Sequence, residues 1–375
     1  MLLTTPILGD RETEVIASIG ETRQQLRFML RETPRYDSLH RTAFGRSVQA
    51  STSIEGHNVS LDDVVAAIDG STSVKASETD WNAVCNYRDA TTYIIQLTHD
   101  PHFEHSAALL RSLHFMMMKH DLSAMPGLFR PGAVVVRSRN GQGTLPDDLD
   151  YQKVPNLLQE LVCELGDDSG ENPAMVQAAM AHLNMMMIHP FKDGNGRMAR
   201  ALQTLVLARE RVLAPAFSSI EEYLGRNTRA YYQALAEVFS GRSNPEGDAR
   251  PWIRFVLVAH FRQAMTLGRR IRESERLWEA IDGQRQHHGL QKRSMGSLYD
   301  AAMGLRVRRP DHIKYADVSE RVATYDLKKM VDDGLMRAVG ERRGRHYVAG
   351  NRLRRLRLRT KEEHVPFSDP FEKTT

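Results

Sequence analysis

The chain has 375 residues, of which 41% are hydrophobic and 26% charged, with a net charge of +4 and a pI near 9.0. These proportions are those of a globular protein with room for two domains or three. No uninterrupted apolar run approaches the length that spans a bilayer, and the basic bias is too mild to indicate nucleic acid by itself. The start, Met1-Leu2-Leu3-Thr4-Thr5-Pro6, lacks a basic stretch followed by a long apolar one, so secretion by a signal peptide is not expected. Cys85 and Cys163 form no Cys-x-x-Cys pair, which leaves zinc and a disulfide framework unsupported and fits a reducing cytoplasm.

The polar-apolar period predicts a helix from about Asp10 to Leu30, interrupted by Thr33-Pro34-Arg35. The run Gly45 to Leu61 follows and contains Ser51-Thr52-Ser53-Ile54-Glu55-Gly56, with Glu55 at a helix end before a glycine. Ser60-Leu61-Asp62-Asp63 caps a helix through Ile68, and a Gly, Ser and Thr-rich loop comes next. A further helix is expected from about Thr79 to Leu97, with Trp81, Val84, Tyr87 and Ala90 in its core. Another runs from Ser106 to His120, with His114 as a packed, hydrogen-bonded histidine and Met116, Met117 and Met118 as core filler. From Gly127 to Gly141 the helical period stops. The β-branched run Val134, Val135, Val136 ahead of Asn140-Gly141 predicts a short hairpin.

The densest chemistry lies in Ile188-His189-Pro190-Phe191-Lys192-Asp193-Gly194-Asn195-Gly196-Arg197-Met198-Ala199-Arg200, between a helix starting near Asn172-Pro173 and a second helix carrying Met198, Leu202, Leu205 and Ala208. A tight glycine loop that feeds a helix N-terminus is an anion site: backbone N–H groups turn toward one point, and the helix adds partial positive charge. His189 supplies a base near neutrality, and Asp193 a hard oxygen ligand for Mg²⁺. Arg197 and Arg200, three apart, supply planar forks for further phosphates.

His189-Pro190-Phe191-x-Asp193-Gly194-Asn195-Gly196-Arg197-x-x-Arg200 resembles the complete signature of the Fic family, all-helical enzymes that mostly transfer AMP from ATP to protein hydroxyl groups. The resemblance covers roughly Ser47 to His260. It implies His189 as catalytic base and Asp193 as Mg²⁺ ligand. The nucleotide-binding set it implies is Glu55, Lys192, Asp193, Gly194, Asn195, Gly196, Arg197, Arg200, Tyr231 and Tyr232, the two tyrosines closing the adenosine side. Ser51-x-x-x-Glu55-Gly56 resembles the inhibitory motif of Fic proteins that carry their own brake, which implies that Ser51, Glu55 and Gly56 hold Arg200 away from the γ-phosphate. The hairpin at Val134, Val135 and Val136 corresponds to the flap that pairs with the target's backbone.

Beyond Gly268 the composition turns toward arginine, and a charged helix through Trp278 reads as a linker. Ser319 caps a helix that Gly334 stops. Two strands follow, about Gly334 to Val339 and Arg345 to Val348, joined by Glu341-Arg342-Arg343-Gly344. This resembles a winged helix, a module that serves DNA or protein partners, with Arg321, Thr324, Tyr325 and Lys328 exposed toward a major groove.

The expectation is a mainly α protein with a helical region at 1–105, a Fic core at 106–265, a winged-helix-like module at 266–360 and a loose tail at 361–375. Its activity is expected to be protein adenylyl transfer from ATP, cytoplasmic and without a membrane partner. Self-modification, reverse removal of AMP and a homodimer are left open. The rival reading is a DNA-binding regulator with a nucleotide-sensing pocket.

Overall fold

The structure is a computed structural model that describes all residues except 31–33, 71–75, 134–148, 167–171, 210, 240–245, 342–343, 364 and 373–375. The expected flap, Val134 to Val136, and the wing tip at Arg342 and Arg343 lie outside the described residues.

Helix follows helix through most of the chain. The first five are α1 (Asp10–Met29), α2 (Pro34–Ile54), α3 (Leu61–Ile68), α4 (Glu78–Leu97) and α5 (Ala107–Met118). Their boundaries follow from local chemistry: Ser60, Ser77 and Ser106 each accept a hydrogen bond from the backbone N–H three residues on. Pro34, read from the sequence as a breaker, instead opens α2, because a proline without an N–H is harmless in a first turn. Glu55 follows directly on α2, and Gly56 turns the chain with φ of 90°.

The middle of the chain holds α6 (Val154–Gly166), α7 (Ala174–Ile188), α8 (Asn195–Ala208), α9 (Pro215–Ser218), α10 (Glu221–Arg226), α11 (Thr228–Phe239) and α12 (Arg250–His287). The chain then continues through α13 (Met295–Met303), α14 (Arg309–Ala316), α15 (Glu320–Asp332) and α16 (Asn351–Thr360). Between α15 and α16, β1 (Met336–Val339) and β2 (His346–Ala349) pair antiparallel, Met336 opposite Ala349 and Val339 opposite His346. Val307 bridges the other edge of β2 at Tyr347.

α7 is buried on nearly every side and forms the centre of the molecule, which is why its sequence is apolar around the whole helix. One hydrophobic cluster runs from Leu2 to Ala259 around it, so no break in the core separates the expected 1–105 and 106–265 segments. A second cluster, from Leu277 to Leu353, is the core of the C-terminal part. The expected boundary at 265/266 falls inside α12, an unbroken helix of 38 residues. Its first half buries Trp252, Ile253 and Val256 in the first core, and its second half buries Leu277 and Ile281 in the second. The Arg and Glu-rich segment read as a linker is therefore structural helix.

Polar latches hold the C-terminal part against α2 and α3. Ser38 donates to Asp300 (2.6 Å), Arg41 pairs with Asp300, and Arg306 pairs with Asp62 and Asp63. The described part of the expected loose tail is docked. Arg11 donates to the Pro370 carbonyl (2.8 Å), Arg254 lies over the Phe371 ring, and Arg272 and Arg276 both reach Glu362 at 3.0 Å. Among the described residues no helix is long and apolar enough to cross a membrane.

Candidate active site

α7 ends at His189, whose backbone takes the left-handed conformation (φ 48°), an uncommon state for a residue with a side chain. Five residues later Gly194 repeats that conformation (φ 80°) as the N-cap of α8. Glycine is required at 194 twice over: by the backbone, and because a Cβ would lie 2.9 Å from Met118 Sδ and 3.3 Å from His114 Nε2. The loop between is stitched by Asn195, whose side chain accepts from the Phe191 N–H (2.9 Å) and donates to the Phe191 carbonyl (2.8 Å).

His114 anchors the loop from below. Its Nδ1 accepts from the Gly127 N–H (2.9 Å), so the proton sits on Nε2, which donates to the Asp193 carbonyl (2.8 Å). The ring stacks on Phe191 with centroids 3.7 Å apart and planes 3° from parallel. Burial lowers its pKa to about 4, which keeps the ring neutral and this tautomer in place. The sequence reading of His114 as a packed histidine matches this geometry.

His189 itself is half-buried. Its Nδ1 donates to the Met186 carbonyl (3.4 Å), a long bond that leaves the Nε2 lone pair open to accept a proton. Burial is the largest influence on the ring and lowers its pKa to about 4, against the opposite pull of Asp193 and Glu55.

At the start of α8 the cations lie deep. Arg200 is 1% exposed; its Nε donates to Ser51 Oγ (2.7 Å), and its Nη2 reaches the Ser51 carbonyl (3.0 Å) and Glu55 Oε1 (2.7 Å). Burial by itself would lower its pKa, but the Glu55 carboxylate, together with Tyr231 and Tyr87, outweighs that and raises it. Glu55 Oε1 also occupies the space over Gly196, where a Cβ would come within 2.7 Å of it. The carboxylate thus covers the turn whose backbone would cradle an anion. Arg197 is 3% exposed, and its Nε and Nη1 are buried with no hydrogen-bond partner among the described residues. Its nearest acid is Asp193 at 3.8 Å. Two orphaned buried donors beside a glycine turn fit an anion.

A cavity of about 970 Å³ opens beside this loop, lined among others by Glu55, Gly56, His57, His120, Asp193, Arg197 and Tyr232. Not every expected site residue lies on its wall. His189 lies outside its lining, and Lys192 turns away to donate to the Ser123 carbonyl (2.9 Å). Tyr231 corrects the expectation of two wall tyrosines: it is wholly buried, and its hydroxyl pairs with His182 Nε2 (2.9 Å) behind the wall that Tyr232 faces. Asp193 is 62% exposed at its side chain, and no group of three His, Cys, Asp or Glu side chains converges among the described residues. One carboxylate open to solvent beside an anion cradle suits Mg²⁺, which takes the rest of its shell from water and phosphate.

One functional residue escaped the sequence reading. Arg130, 5% exposed, donates from Nε to the His189 carbonyl (2.9 Å), from Nη1 to the Gly132 carbonyl (2.8 Å) and from Nη2 to the Leu149 carbonyl (2.8 Å). Its own N–H donates to the Pro190 carbonyl (2.9 Å). One guanidinium therefore ties the backbone of the base to both ends of the segment that carries Val134 to Val136. A lone arginine in Gly127-Leu128-Phe129-Arg130-Pro131 was the available signal. Arg130→Met should lower the unfolding free energy in urea by about 3 kcal/mol, since it leaves three carbonyls unpaired. Arg130→Lys should recover only part, because one ammonium cannot span three divergent acceptors; a loss below about 0.5 kcal/mol in the methionine variant contradicts this role.

Comparison with known proteins agrees with the motif. Residues 104–207 match the model of the Fic/DOC family. The chain is 27% identical over 256 residues to a Caenorhabditis elegans protein named protein adenylyltransferase fic-1, covering 68% of this chain and 46% of the relative. It is 24% identical over 252 residues to protein adenylyltransferase Fic of Nematostella vectensis, covering 67% and 55%. The chain thus spans about half the length of the curated relatives it matches. The crystal structure of a Fic family protein from Desulfovibrio desulfuricans superposes with a TM-score of 0.56 at 23% identity, covering 92% of this chain and 98% of that one. The helical fold is thus shared with solved Fic family structures, and the likeness to the Fic/DOC family model is confined to residues 104–207, the stretch that holds the glycine turn between α7 and α8.

Proposed function

We propose that the chain is a protein adenylyltransferase that moves AMP from ATP to a hydroxyl of a target protein and is held back by Glu55. The observation that carries this reading is the pair of deep arginines on α8, one bound by Glu55 and Ser51 and the other with two buried donors unpartnered. The relatives named protein adenylyltransferase support it.

In this reading the N–H groups at Asn195 and Gly196 hold the α-phosphate, and Arg197 and Arg200 hold the outer phosphates. Asp193 would hold Mg²⁺, which would supply neutralisation of phosphate charge. His189 Nε2 takes the proton of the target's Ser, Thr or Tyr hydroxyl as its oxygen attacks the α-phosphorus. The bond from that phosphorus to the bridging oxygen breaks, and pyrophosphate leaves with the electron pair. The stretch that carries Val134 to Val136 would align the target strand, and Arg130 ties its flanking residues Gly132 and Leu149 to the His189 carbonyl.

In this reading Glu55 acts twice. Its carboxylate occupies both the space over Gly196 and the guanidinium that the γ-phosphate needs, so inhibitor and nucleotide compete for one charge. Reverse removal of AMP, with Glu55 orienting water, uses the same position.

Incubation with ATP and Mg²⁺ followed by intact mass measurement tests the assignment. The Glu55→Gly variant should gain mass corresponding to AMP, on itself or on added target, well above wild type, and adding His189→Ala should abolish the gain. Equal transfer with and without His189 would remove it as the base. Because burial lowers its pKa to about 4, His189 is neutral and competent at every pH above that value, so the acid limb of kcat/KM should fall near pH 4 to 5 and not near 6.5.

A second reading concerns the C-terminal part alone, as a winged helix that touches nucleic acid. Arg321, Thr324, Tyr325 and Lys328 share the exposed face of α15, Tyr325 being 65% exposed. In a gel shift with random duplex DNA, binding should weaken steeply as salt rises and weaken further in Lys328→Ala. No retardation at low salt removes this reading.

A further inference from the structure

A second cavity of about 340 Å³ lies where α2, α9 and α12 meet the end of α16, and it shares no lining residue with the cavity at Glu55. Its polar wall is cationic: Arg46, Arg226, Arg269, Arg270, Arg357 and Lys361. The carboxylates present do not balance it. Glu222 is held by Arg270 through both oxygens (2.6 and 2.7 Å) and by Arg226 (2.7 Å), which leaves Arg46 at 3.9 Å. Glu273 is the nearest acid for Arg269 at 4.0 Å and for Arg357 at 3.9 Å, and it already accepts the Glu362 N–H at 3.0 Å. Glu362 is taken by Arg272 and Arg276 from outside the cavity.

Three guanidinium groups, on Arg46, Arg269 and Arg357, are therefore left at the edge of ion-pair range. Their side chains are only 26%, 15% and 19% exposed, so water does not fully replace the missing acid. Arg269 Nε is buried with no hydrogen-bond partner among the described residues. Burial, and then the charge of Arg270, lower the pKa of Arg46 to about 10, the direction expected where positive charge is in excess. The opposite wall is apolar, formed by Leu39, Phe217 and Met303.

We propose that this cavity binds a small phosphorylated molecule, its phosphate oxygens on Arg46, Arg269 and Arg357 and its less polar body against Leu39, Phe217 and Met303. Planar forks converging from three elements suit the many acceptors of a phosphate ester or diphosphate better than a single carboxylate. The volume is that of a small-molecule pocket and not of a polymer groove. The site is formed by both cores at once, since Arg46 comes from α2 and Arg357 from α16. It stands independently of the catalytic reading.

The test uses inorganic pyrophosphate as probe and the full chain carrying Arg197→Met, which removes a cation from the catalytic turn. Millimolar sodium pyrophosphate should raise the unfolding midpoint by about 2–4 °C over sodium chloride of matched ionic strength. Adding Arg46→Met should abolish that shift without lowering the midpoint in chloride, because it removes a charge the site does not balance. Should the doubly substituted chain fail to fold, Arg357→Gln in the same background should lose the shift equally, and calorimetric titration of wild type against Arg46→Met reads the same contrast. Absence of any shift beyond chloride, or a shift that survives Arg46→Met or Arg357→Gln, overturns the proposal.

Discussion

A buried guanidinium demands an anion, and the region around α8 is organised by how Arg200 meets that demand. At 1% exposure it cannot rely on water, and breaking a buried ion pair costs about 3–5 kcal/mol. Ser51 and Glu55, delivered by the end of α2, meet the need with three hydrogen bonds. In the proposed reading the same need would make the contact exchangeable, a phosphate at the glycine turn taking Glu55's place. α2 is itself pinned at its other end by the latches from Ser38 and Arg41 to Asp300, so the helix that presents Glu55 is braced by the C-terminal part.

Precision at the base comes from a different set of bonds. Asn195, His114 and Arg130 each hold backbone of the His189 to Gly194 loop, from inside the loop, beneath it and beside it. None of these three depends on the charge of a ligand, which lets the loop keep its shape whether Glu55 or a phosphate lies over Gly196. The low pKa of His189 fits this separation. Burial keeps the ring neutral without help from a carboxylate partner, so Asp193 is left open to solvent.

Much of this was legible in the residues. Serine caps and glycine stops set the helix ends closely, because capping is a local interaction between neighbours in sequence. The catalytic loop was legible for the same reason: its base, turn and arginines lie within twelve consecutive positions. What failed was long-range. Tyr231 and Tyr232 are adjacent, and only packing against His182 decides which one is core. The Arg130 side chain acts on carbonyls up to 59 positions away, and backbone acceptors leave no mark in a sequence. The polar run in α12 looked like a linker because one helix there serves two cores in turn, and the tail looked loose because Arg11 and Arg254, which hold it, are far away in the chain.

The central claim is that Glu55 and a nucleotide's outer phosphates compete for Arg200. Calorimetric titration of a non-hydrolysable ATP analogue with Mg²⁺ into wild type and into Glu55→Gly measures that competition directly. The account predicts binding tighter by about tenfold or more in the variant, a difference of about 1.4 kcal/mol. Equal affinity in the two proteins would contradict it.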